Sequence, residues 1–324
     1  MESETVNGRI LYFDKKNLIK AVGNTITLFN ENKSNTFDIP GNFLHSLGRR
    51  FAIIGRLLRS SCHHAFYYGE KIILFVDKRL IIIDTVNGNC LYEFRLTSSR
   101  PLVVCNYKNK IYYGEYFTNP LRLPVKVWSF DLNSFSWSCV SQISDIRHIH
   151  GIFFDPYEDL FWMTTGDLDS ECFIWKSKDL SSFEKVIGGS QKYRAVHLIF
   201  SENSIYYGSD SPSEKNYLYR LDRRNLKTTI ITQVGGSVFY GYKTQYRIYF
   251  STAVEPSYVN PNPFVEIWSI CNGEAKKISV HKKDFFSMKY FQYGQAFFPY
   301  GAGDGESVYF TPFSTVDHLT SYRI

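Results

Sequence analysis

The sequence has 324 residues, and its 37 lysines and arginines exceed its 31 aspartates and glutamates by six. Aromatic residues make up 17% of the chain, which excludes a disordered protein because disorder requires few aromatic residues and a high net charge. No stretch approaches 18 consecutive apolar residues, and sustained heptads are missing, so neither a membrane span nor a coiled coil is predicted. The basic residues are spread along the whole chain, so nucleic acid is not an expected partner.

The first predicted segment is a polar tail over residues 1–8, which lacks the basic and apolar parts of a secretory signal. Residues 41–60 are predicted to form an irregular or short helical insertion, and we expect residues 1–324 to fold as a single domain. None of the six cysteines forms a C-x-x-C pair, and several lie in apolar runs. This usage is typical of reduced, buried cysteines, so we expect a cytoplasmic protein.

Similar apolar runs recur along most of the chain. They begin at Ile111, Leu160, Ile205, Ile248 and Val308, so the spacings are 49, 45, 43 and 60 residues. All but the last follow a short polar turn and another apolar run, which predicts β-hairpins. A repeat of about 40–50 residues that contains four strands is typical of a β-propeller blade. The predicted fold is therefore an all-β propeller of four-stranded blades.

Residues 147–189 form the clearest predicted blade. Its strands A to D are predicted at residues 150–154, 160–165, 172–176 and 184–188. Because each strand reverses the last, the B–C and D–A loops should open on one face of the propeller, and the A–B and C–D turns on the other. Residues 9–39 add three or four short strands. Seven blades result if this segment is a blade of its own, as we favour, and six if it completes the C-terminal blade.

Three predicted C–D turns share the register of the Asp-box motif, S-x-D-x-G-x-T-[WF]. They are residues 30–37, Ser129-Phe130-Asp131 with Trp137, and Ser177-Lys178-Asp179 with Phe183. The sequence therefore resembles the sialidase-like, Asp-box (bacterial neuraminidase repeat) propellers. This resemblance implies that Asp131 and Asp179 cap tight turns and that Trp137 and Phe183 are buried between blades.

Kelch repeats are a competing resemblance, because Asp131 followed by Trp137 also resembles their strand C–D pattern. The double glycine of kelch repeats after strand B is missing, and single glycines stand there instead, at Gly114, Gly166 and Gly208. Active sialidases carry an Arg-Ile-Pro motif near the N-terminus, whereas Arg323-Ile324 lies at the other end of this sequence without proline. We therefore do not identify the chain as an active sialidase.

Charged residues recur at fixed places in the predicted blades. Arginines precede strand A in four of them, at Arg59, Arg100, Arg147 and Arg194, and the last three are spaced by 47 residues. A carboxylate follows strand B in three, at Glu115, Asp167 and Asp210. Both sets should lie on the face of the B–C and D–A loops. Arginines bind carboxylate, sulfate or phosphate groups through paired hydrogen bonds, and the carboxylates could supply acid or base.

These positions define the predicted site. The candidate catalytic residues are Glu115, His148, His150, Asp167 and Asp210. The candidate substrate-binding residues are Arg59, Arg100, Tyr116, Asn119, Arg147, Asp169, Gln191 and Arg194. No cofactor and no metal are predicted, because the His148 and His150 pair has no third ligand close to it in the sequence. Alternatively, the arginines and acids pair with each other and close the rim structurally.

The predicted ligand is an acidic glycan or anionic sugar, bound on the face of the B–C and D–A loops. The sequence leaves open whether the protein is an enzyme; a glycoside hydrolase-like or other carbohydrate-active enzyme is expected if it is one. The alternative is a non-catalytic propeller scaffold for protein or glycan interaction. An enzyme needs two carboxylates, or a carboxylate and a histidine, facing one pocket, whereas a scaffold would have these groups occupied in salt bridges.

Overall fold

The computed structural model describes residues 4–31, 33–97 and 100–324. Their strands form seven sheets around a central channel, so the predicted β-propeller of four-stranded blades is confirmed, with seven blades. Each blade runs outward from the channel in the order A, B, C, D through antiparallel neighbours. No helix in this part of the chain has the length and apolar character needed to cross a membrane.

The first four blades follow the chain from residue 9 to residue 188. Blade 1 contains β2 (Arg9–Asp14), β3 (Asn17–Val22), β4 (Thr25–Asn30) and β5 (Lys33–Asp38). Blade 2 contains β6 (Cys62–Tyr68), β7 (Lys71–Val76), β8 (Arg79–Asp84) and β9 (Cys90–Arg95). Blade 3 contains β10 (Cys105–Tyr107), β11 (Lys110–Gly114), β12 (Val125–Asp131) and β13 (Ser136–Ile143). Blade 4 contains β14 (His148–Asp155), β15 (Leu160–Gly166), β16 (Phe173–Ser177) and β17 (Glu184–Gly188).

The last three blades complete the ring. Blade 5 contains β18 (Ala195–Phe200), β19 (Ser204–Ser209), β20 (Asn216–Asp222) and β21 (Thr228–Val234). Blade 6 contains β22 (Val238–Lys243), β23 (Ile248–Thr252), β24 (Phe264–Cys271) and β25 (Glu274–Lys282). Blade 7 contains β26 (Gln295–Phe297), β28 (Tyr309–Phe313), β29 (Thr320–Arg323) and β1 (Glu4–Asn7), while β27 (Tyr300–Gly303) joins blade 1.

The ring is closed by segments from both ends of the described chain. Within the predicted polar tail, β1 is a strand that pairs antiparallel with β29, because its backbone completes the exposed edge of blade 7; residues 1–3 lie outside the described residues. Residues 9–38 form a separate blade, as the seven-blade alternative required. In addition, β27 pairs parallel with β2, so the last and first blades are joined at a second place.

Two helices lie between blades 1 and 2, within the segment predicted as an insertion. Helix α1 (Phe43–Arg50) begins at Asn42, whose side chain accepts a hydrogen bond from the His45 amide. Helix α2 (Ala52–Leu58) ends at Arg59, which has a left-handed φ of 54°. A third helix, α3 (Met288–Phe291), precedes β26. Residues Leu57, Leu58 and Met288 of these helices line the central channel.

Glycines at the ends of B strands let neighbouring blades approach closely. A Cβ atom on Gly114 would lie 2.3 Å from Ile149 of blade 4, and one on Gly208 would lie 2.4 Å from Val238 of blade 6. A Cβ atom on Gly166 would lie 3.0 Å from Arg194, which precedes blade 5, and 3.1 Å from His150 of its own blade. The single glycines therefore bring the loop after strand B next to the start of strand A in the following blade.

The predicted C–D turns lie on the opposite face from the arginine-bearing loops. Asp131 accepts hydrogen bonds from the Asn133 and Ser134 amides, and Asp179 accepts one from the Ser181 amide. These bonds fix the turns as an Asx-type side chain does. In the first predicted box, Asn32 lies outside the described residues.

The aromatic residues of the two later boxes are partly buried. Trp137 packs between blades 2 and 3, against Phe94 at 5.2 Å and Phe130 at 4.7 Å between ring centroids. Phe183 packs against an apolar cluster that includes Leu180 and Trp175. These contacts connect the C–D turns to the apolar layers between blades.

Candidate functional site

The central channel is a cavity of about 2200 Å³ that runs between the blades. Its wall contains many of the charged residues that the repeat pattern selects. On the face of the B–C and D–A loops it is lined by Arg59, Arg100, Tyr116, Arg147, His148, Asp167, Arg194 and Asp210. The loops that carry these residues therefore converge on one opening.

The arginine series is longer than the sequence pattern alone indicated. Arg9 is the first residue of β2, so it occupies in blade 1 the place that Arg59, Arg100, Arg147 and Arg194 occupy before strand A of blades 2 to 5. It lines the channel with them. The sequence contains a signal for Arg9, because it directly precedes the apolar run of the first blade. The repeat pattern does not reveal it, because residues 9–39 fit either a blade of their own or the completion of the C-terminal blade.

The carboxylate series also has two further members. Asp77 directly follows β7 and Glu255 follows β23 by three residues, so five successive blades carry an acid after strand B. Both residues line the channel. The extra residues between β23 and Glu255 conceal this member of the series, and the sequence pattern does not fix the end of strand B in the blade that carries Asp77.

Asp167 is the centre of the charged cluster in blade 4. Its Oδ2 atom accepts a hydrogen bond from Arg147 Nη1 at 2.8 Å, and its Oδ1 atom lies 2.9 Å from Arg194 Nη2 of blade 5. The Nε2 atoms of His148 and His150 lie 3.5 and 3.9 Å from the same Oδ1. Burial raises the pKa of Asp167, but the hydrogen-bond donors and positive charge around it, Arg194 among them, outweigh burial and hold the pKa well below its usual range. Asp167 is therefore ionised.

His148 and His150 are two residues apart in strand A, where a β-bulge lies between Ile149 and Gly151, and their side chains meet on one side of the strand. Their Nε2 atoms lie 3.2 Å apart, and the Tyr116 ring packs on His148 with 4.2 Å between centroids. Burial lowers the pKa of His150 to about 4, so this ring is neutral near pH 7. His148 lines the channel, and His150 lies behind it.

Asp210 and Glu255 form a second acidic group beside Arg194. Asp210 Oδ2 lies 3.4 Å from Arg194 Nε, and the Ser237 hydroxyl donates a hydrogen bond to Glu255. Burial raises the pKa of Asp210 to about 7, opposed by Arg194 and reinforced by Glu255. Burial also raises the pKa of Glu255. Two buried carboxylates that influence each other tend to share a proton near neutral pH, which is a property of general acids and bases.

The arginines on the opposite side of the channel have no acidic partner among the described residues. Arg9 donates to the Cys62 and His63 carbonyls and packs over Phe297, with 3.6 Å from its guanidinium carbon to the ring centroid. Its Nε atom is buried and has no hydrogen-bond partner. Arg100 donates to the Arg59 carbonyl at 3.1 Å and contacts His63. Burial lowers the pKa of both Arg9 and Arg100 to about 10, and Arg59 adds to the effect at Arg100.

The acids nearest to these arginines are engaged elsewhere. Asp77, whose side chain is fully buried, pairs with Arg49 of helix α1 and with Arg79. Glu115 accepts hydrogen bonds from Trp128 Nε1 and the Lys126 amide, both at 3.0 Å, and does not line the channel. The structure therefore does not bring Glu115 to the charged cluster. Asp77 is paired with Arg49 of the helical segment between blades 1 and 2, so it does not neutralise Arg100.

Three further predicted site residues shape the loops rather than the channel wall. Asn119 is bonded through its side chain to both backbone groups of Leu123. Gln191 donates to the Asp167 carbonyl and to Asp169 Oδ1, both at 2.9 Å. These three predicted residues are not part of the channel lining. Gln191 and Asp169 hold the loop that carries Asp167, which is a positioning role.

The alternative, in which arginines and acids pair with each other and close the rim, therefore holds for one half of the opening. Arg147 and Arg194 are paired with Asp167 and Asp210, whereas Arg9, Arg59 and Arg100 have no acid within salt-bridge distance in the described part of the chain. One side of the opening can exchange protons, and the other can bind an anion.

Comparisons with known proteins support the fold. No protein-family model matches the chain, and no curated protein matches it. It is similar to the WD40 propeller domain of Doa1, with 9% identity, a TM-score of 0.58, and coverage of 100% of this chain and 93% of that one. A chain of the mitotic checkpoint complex has 9% identity and a TM-score of 0.59, covering 99% and 91%. An oligogalacturonate lyase in complex with manganese has 14% identity and a TM-score of 0.57, covering 99% and 95%.

Proposed function

We propose that the protein binds an anionic ligand, of the acidic glycan class, at the opening of the channel on the face of the B–C and D–A loops. The observation that carries this proposal is the set Arg9, Arg59 and Arg100, which has no acidic partner in the described residues. Arg9 is buried and Arg100 is half-buried, whereas Arg59 is exposed. A charge that is buried without an opposite charge costs several kcal/mol. An anion supplies the missing compensation through charge-assisted hydrogen bonds.

The size and lining of the channel favour a sugar rather than a small inorganic ion. At about 2200 Å³ the cavity exceeds the roughly 300–1,000 Å³ of ordinary small-molecule sites, so it has room for several sugar rings. Aromatic side chains stand beside the arginines, among them Tyr116, Tyr240 and Phe297. Aromatic faces pack against the C–H faces of sugar rings, while arginines bind their carboxylates. The similar lyase structure acts on oligogalacturonate, so the fold is compatible with such a ligand.

The paired side of the opening gives the proposal its enzymatic form. Asp210 and Glu255 share a raised affinity for protons, and Asp167 is held ionised beside His148 and His150. A ligand held by the free arginines would face these groups across the channel. They could donate or accept a proton during cleavage or modification of a glycosidic bond.

The test is a binding screen of uronic and sialic acid oligosaccharides by calorimetry. Arg100→Gln should weaken binding by about 1.5–3 kcal/mol, the range for a hydrogen bond to a charged group. Arg224→Gln is the matched control, because Arg224 is exposed in the C–D turn of blade 5 on the opposite face. Equal loss in both variants, or no binding by the wild-type protein, would reject the anion site.

A protein-interaction scaffold is the second candidate function, and the helices of the insertion favour it. Phe43, Phe51, Ile53 and Leu57 are exposed, with Phe43 77% accessible. Such clustered apolar side chains are typical of interaction surfaces. If the scaffold function is the correct one, replacing Phe43 and Ile53 with serine should abolish association with a partner and leave glycan binding unchanged.

A further inference from the structure

The protonation of His148 and His150 is determined by their backbone partners. Nδ1 of His148 lies 3.3 Å from the Phe117 carbonyl, and Nδ1 of His150 lies 3.0 Å from the Ala195 carbonyl. Since a carbonyl oxygen only accepts hydrogen bonds, each Nδ1 carries its ring proton. In the neutral rings both Nε2 atoms therefore present lone pairs.

Three electron-pair donors consequently meet at one point. The two Nε2 atoms are 3.2 Å apart, and Asp167 Oδ1 lies 3.5 Å from that of His148 and 3.9 Å from that of His150. Buried lone pairs at these separations repel one another unless a positive species lies among them.

The separations match the dimensions of a metal site. A triangle with sides of 3.2, 3.5 and 3.9 Å has a point equidistant from its corners at about 2.1 Å, which is the usual length of Zn–N and Zn–O bonds. We propose that His148, His150 and Asp167 bind a divalent transition-metal ion through Nε2, Nε2 and Oδ1. Two imidazoles and one carboxylate are a ligand set for zinc and similar first-row ions.

The surroundings of these three residues are those of ligands in metal sites. Both imidazoles donate their other N–H to a backbone carbonyl, which fixes the ring orientation as in known sites. Arg147 binds Oδ2 of Asp167, and Arg194 uses one lone pair of Oδ1, which leaves the second lone pair for the ion. His148 and Asp167 line the channel, so the remaining coordination position faces the cavity. The site does not depend on the free arginines across the channel.

The experiment measures Zn²⁺ itself, with no glycan present. Purified protein containing residues 1–324 is stripped with dipicolinate and then titrated with Zn²⁺ by calorimetry. Its metal content after dialysis is determined by mass spectrometry. We expect one equivalent of zinc and a higher melting temperature with Zn²⁺. His148→Phe keeps a ring beneath Tyr116 and should weaken Zn²⁺ binding more than about 100-fold, beyond the range for loss of an outer partner.

His64→Phe is the matched control. His64 is equally buried and also bonds a carbonyl, that of Pro101, but its other ring nitrogen is bonded to the Tyr300 hydroxyl. This variant should bind Zn²⁺ like the wild type. If His148→Phe fails to fold, the Zn²⁺ affinity of Asp167→Asn and the metal content of the wild-type protein test the proposal instead. A wild-type protein that takes up no zinc overturns the proposal, and so does a folded His148→Phe or Asp167→Asn variant that binds Zn²⁺ with unchanged affinity.

Discussion

Replacing Arg100 with glutamine should stabilise the ligand-free protein. Burial lowers the pKa of Arg100 from 12.5 to about 10, and each unit corresponds to about 1.4 kcal/mol, so the buried charge costs about 3 kcal/mol. The substitution also removes the hydrogen bonds to the Arg59 carbonyl and to His63, which contribute about 1 kcal/mol each. The difference is a gain of about 1 kcal/mol in the free energy of unfolding. For a chain of this length, that raises the melting temperature by about 1–2 °C.

An anion should reverse the order of the two proteins. Sulfate or galacturonate at about 100 times its dissociation constant adds about 2.7 kcal/mol to the stability of a protein that binds it. The wild-type melting temperature should therefore rise with added anion, whereas that of Arg100→Gln should remain nearly constant. Calorimetric melting curves at constant ionic strength, with chloride as the reference salt, measure both quantities.

Arg147→Gln is the informative comparison, because Arg147 also lines the channel but is already paired with Asp167. We expect this variant to lose a little stability and to keep the response to anions. If Arg100→Gln is less stable than the wild type and both proteins respond equally to the anion, then the charge of Arg100 is compensated within the protein and the reasoning fails.

Three further predictions concern the packing between two blades, a buried ion pair and the carboxyl group of Asp210. Trp137→Ala should lower the free energy of unfolding by about 3 kcal/mol, since it empties the contact with Phe94 between two blades; a loss below about 1 kcal/mol in urea would contradict this packing. Arg223→Ala should cost about 3–5 kcal/mol, because it leaves the fully buried Asp155 without its partner, and unchanged thermal unfolding would count against that ion pair. Between about pH 4 and pH 7 the folded protein retains a proton on Asp210 that the unfolded chain releases, so this group makes the free energy of unfolding fall as pH rises through that range. Asp210→Asn should remove this part of the pH dependence. Parallel plots of the free energy of unfolding in urea against pH for the wild type and the variant would refute it.

The sequence was sufficient to predict the blades because their hydrophobic pattern is local. In blade 4 the predicted strands differ from the observed ones by at most two residues at any end; for example, strand B was predicted at residues 160–165 and is Leu160–Gly166. A turn and an alternating strand depend on neighbours a few residues away, which the sequence displays directly. The strand from Glu4 to Asn7 was not predicted, because the strand it pairs with lies more than 300 residues further along the chain.

The site was predictable in position but not in pairing. Counting residues before strand A and after strand B placed Arg100, Arg194, Asp167 and Asp210 at one opening. It could not show that the Glu115 carboxylate turns to its own blade, because that depends on the side-chain direction set by Trp128. The pairing of Asp77 with Arg49 likewise arises from an insertion outside the repeat.

The two separate connections between the last and first blades restrict how the ring can deform. One is the antiparallel ladder of β1 with β29 in blade 7, continuous through Gly8 with β2, and the other is the parallel ladder of β27 with β2. A ring that is joined by one ladder can open at that ladder. In this ring, hydrogen bonds must break in two ladders at once, one at an inner strand of the blades and one at an outer strand. Its circumference is therefore fixed, and a ligand must travel along the axis. A molecule that enters the channel therefore does so without the blades parting.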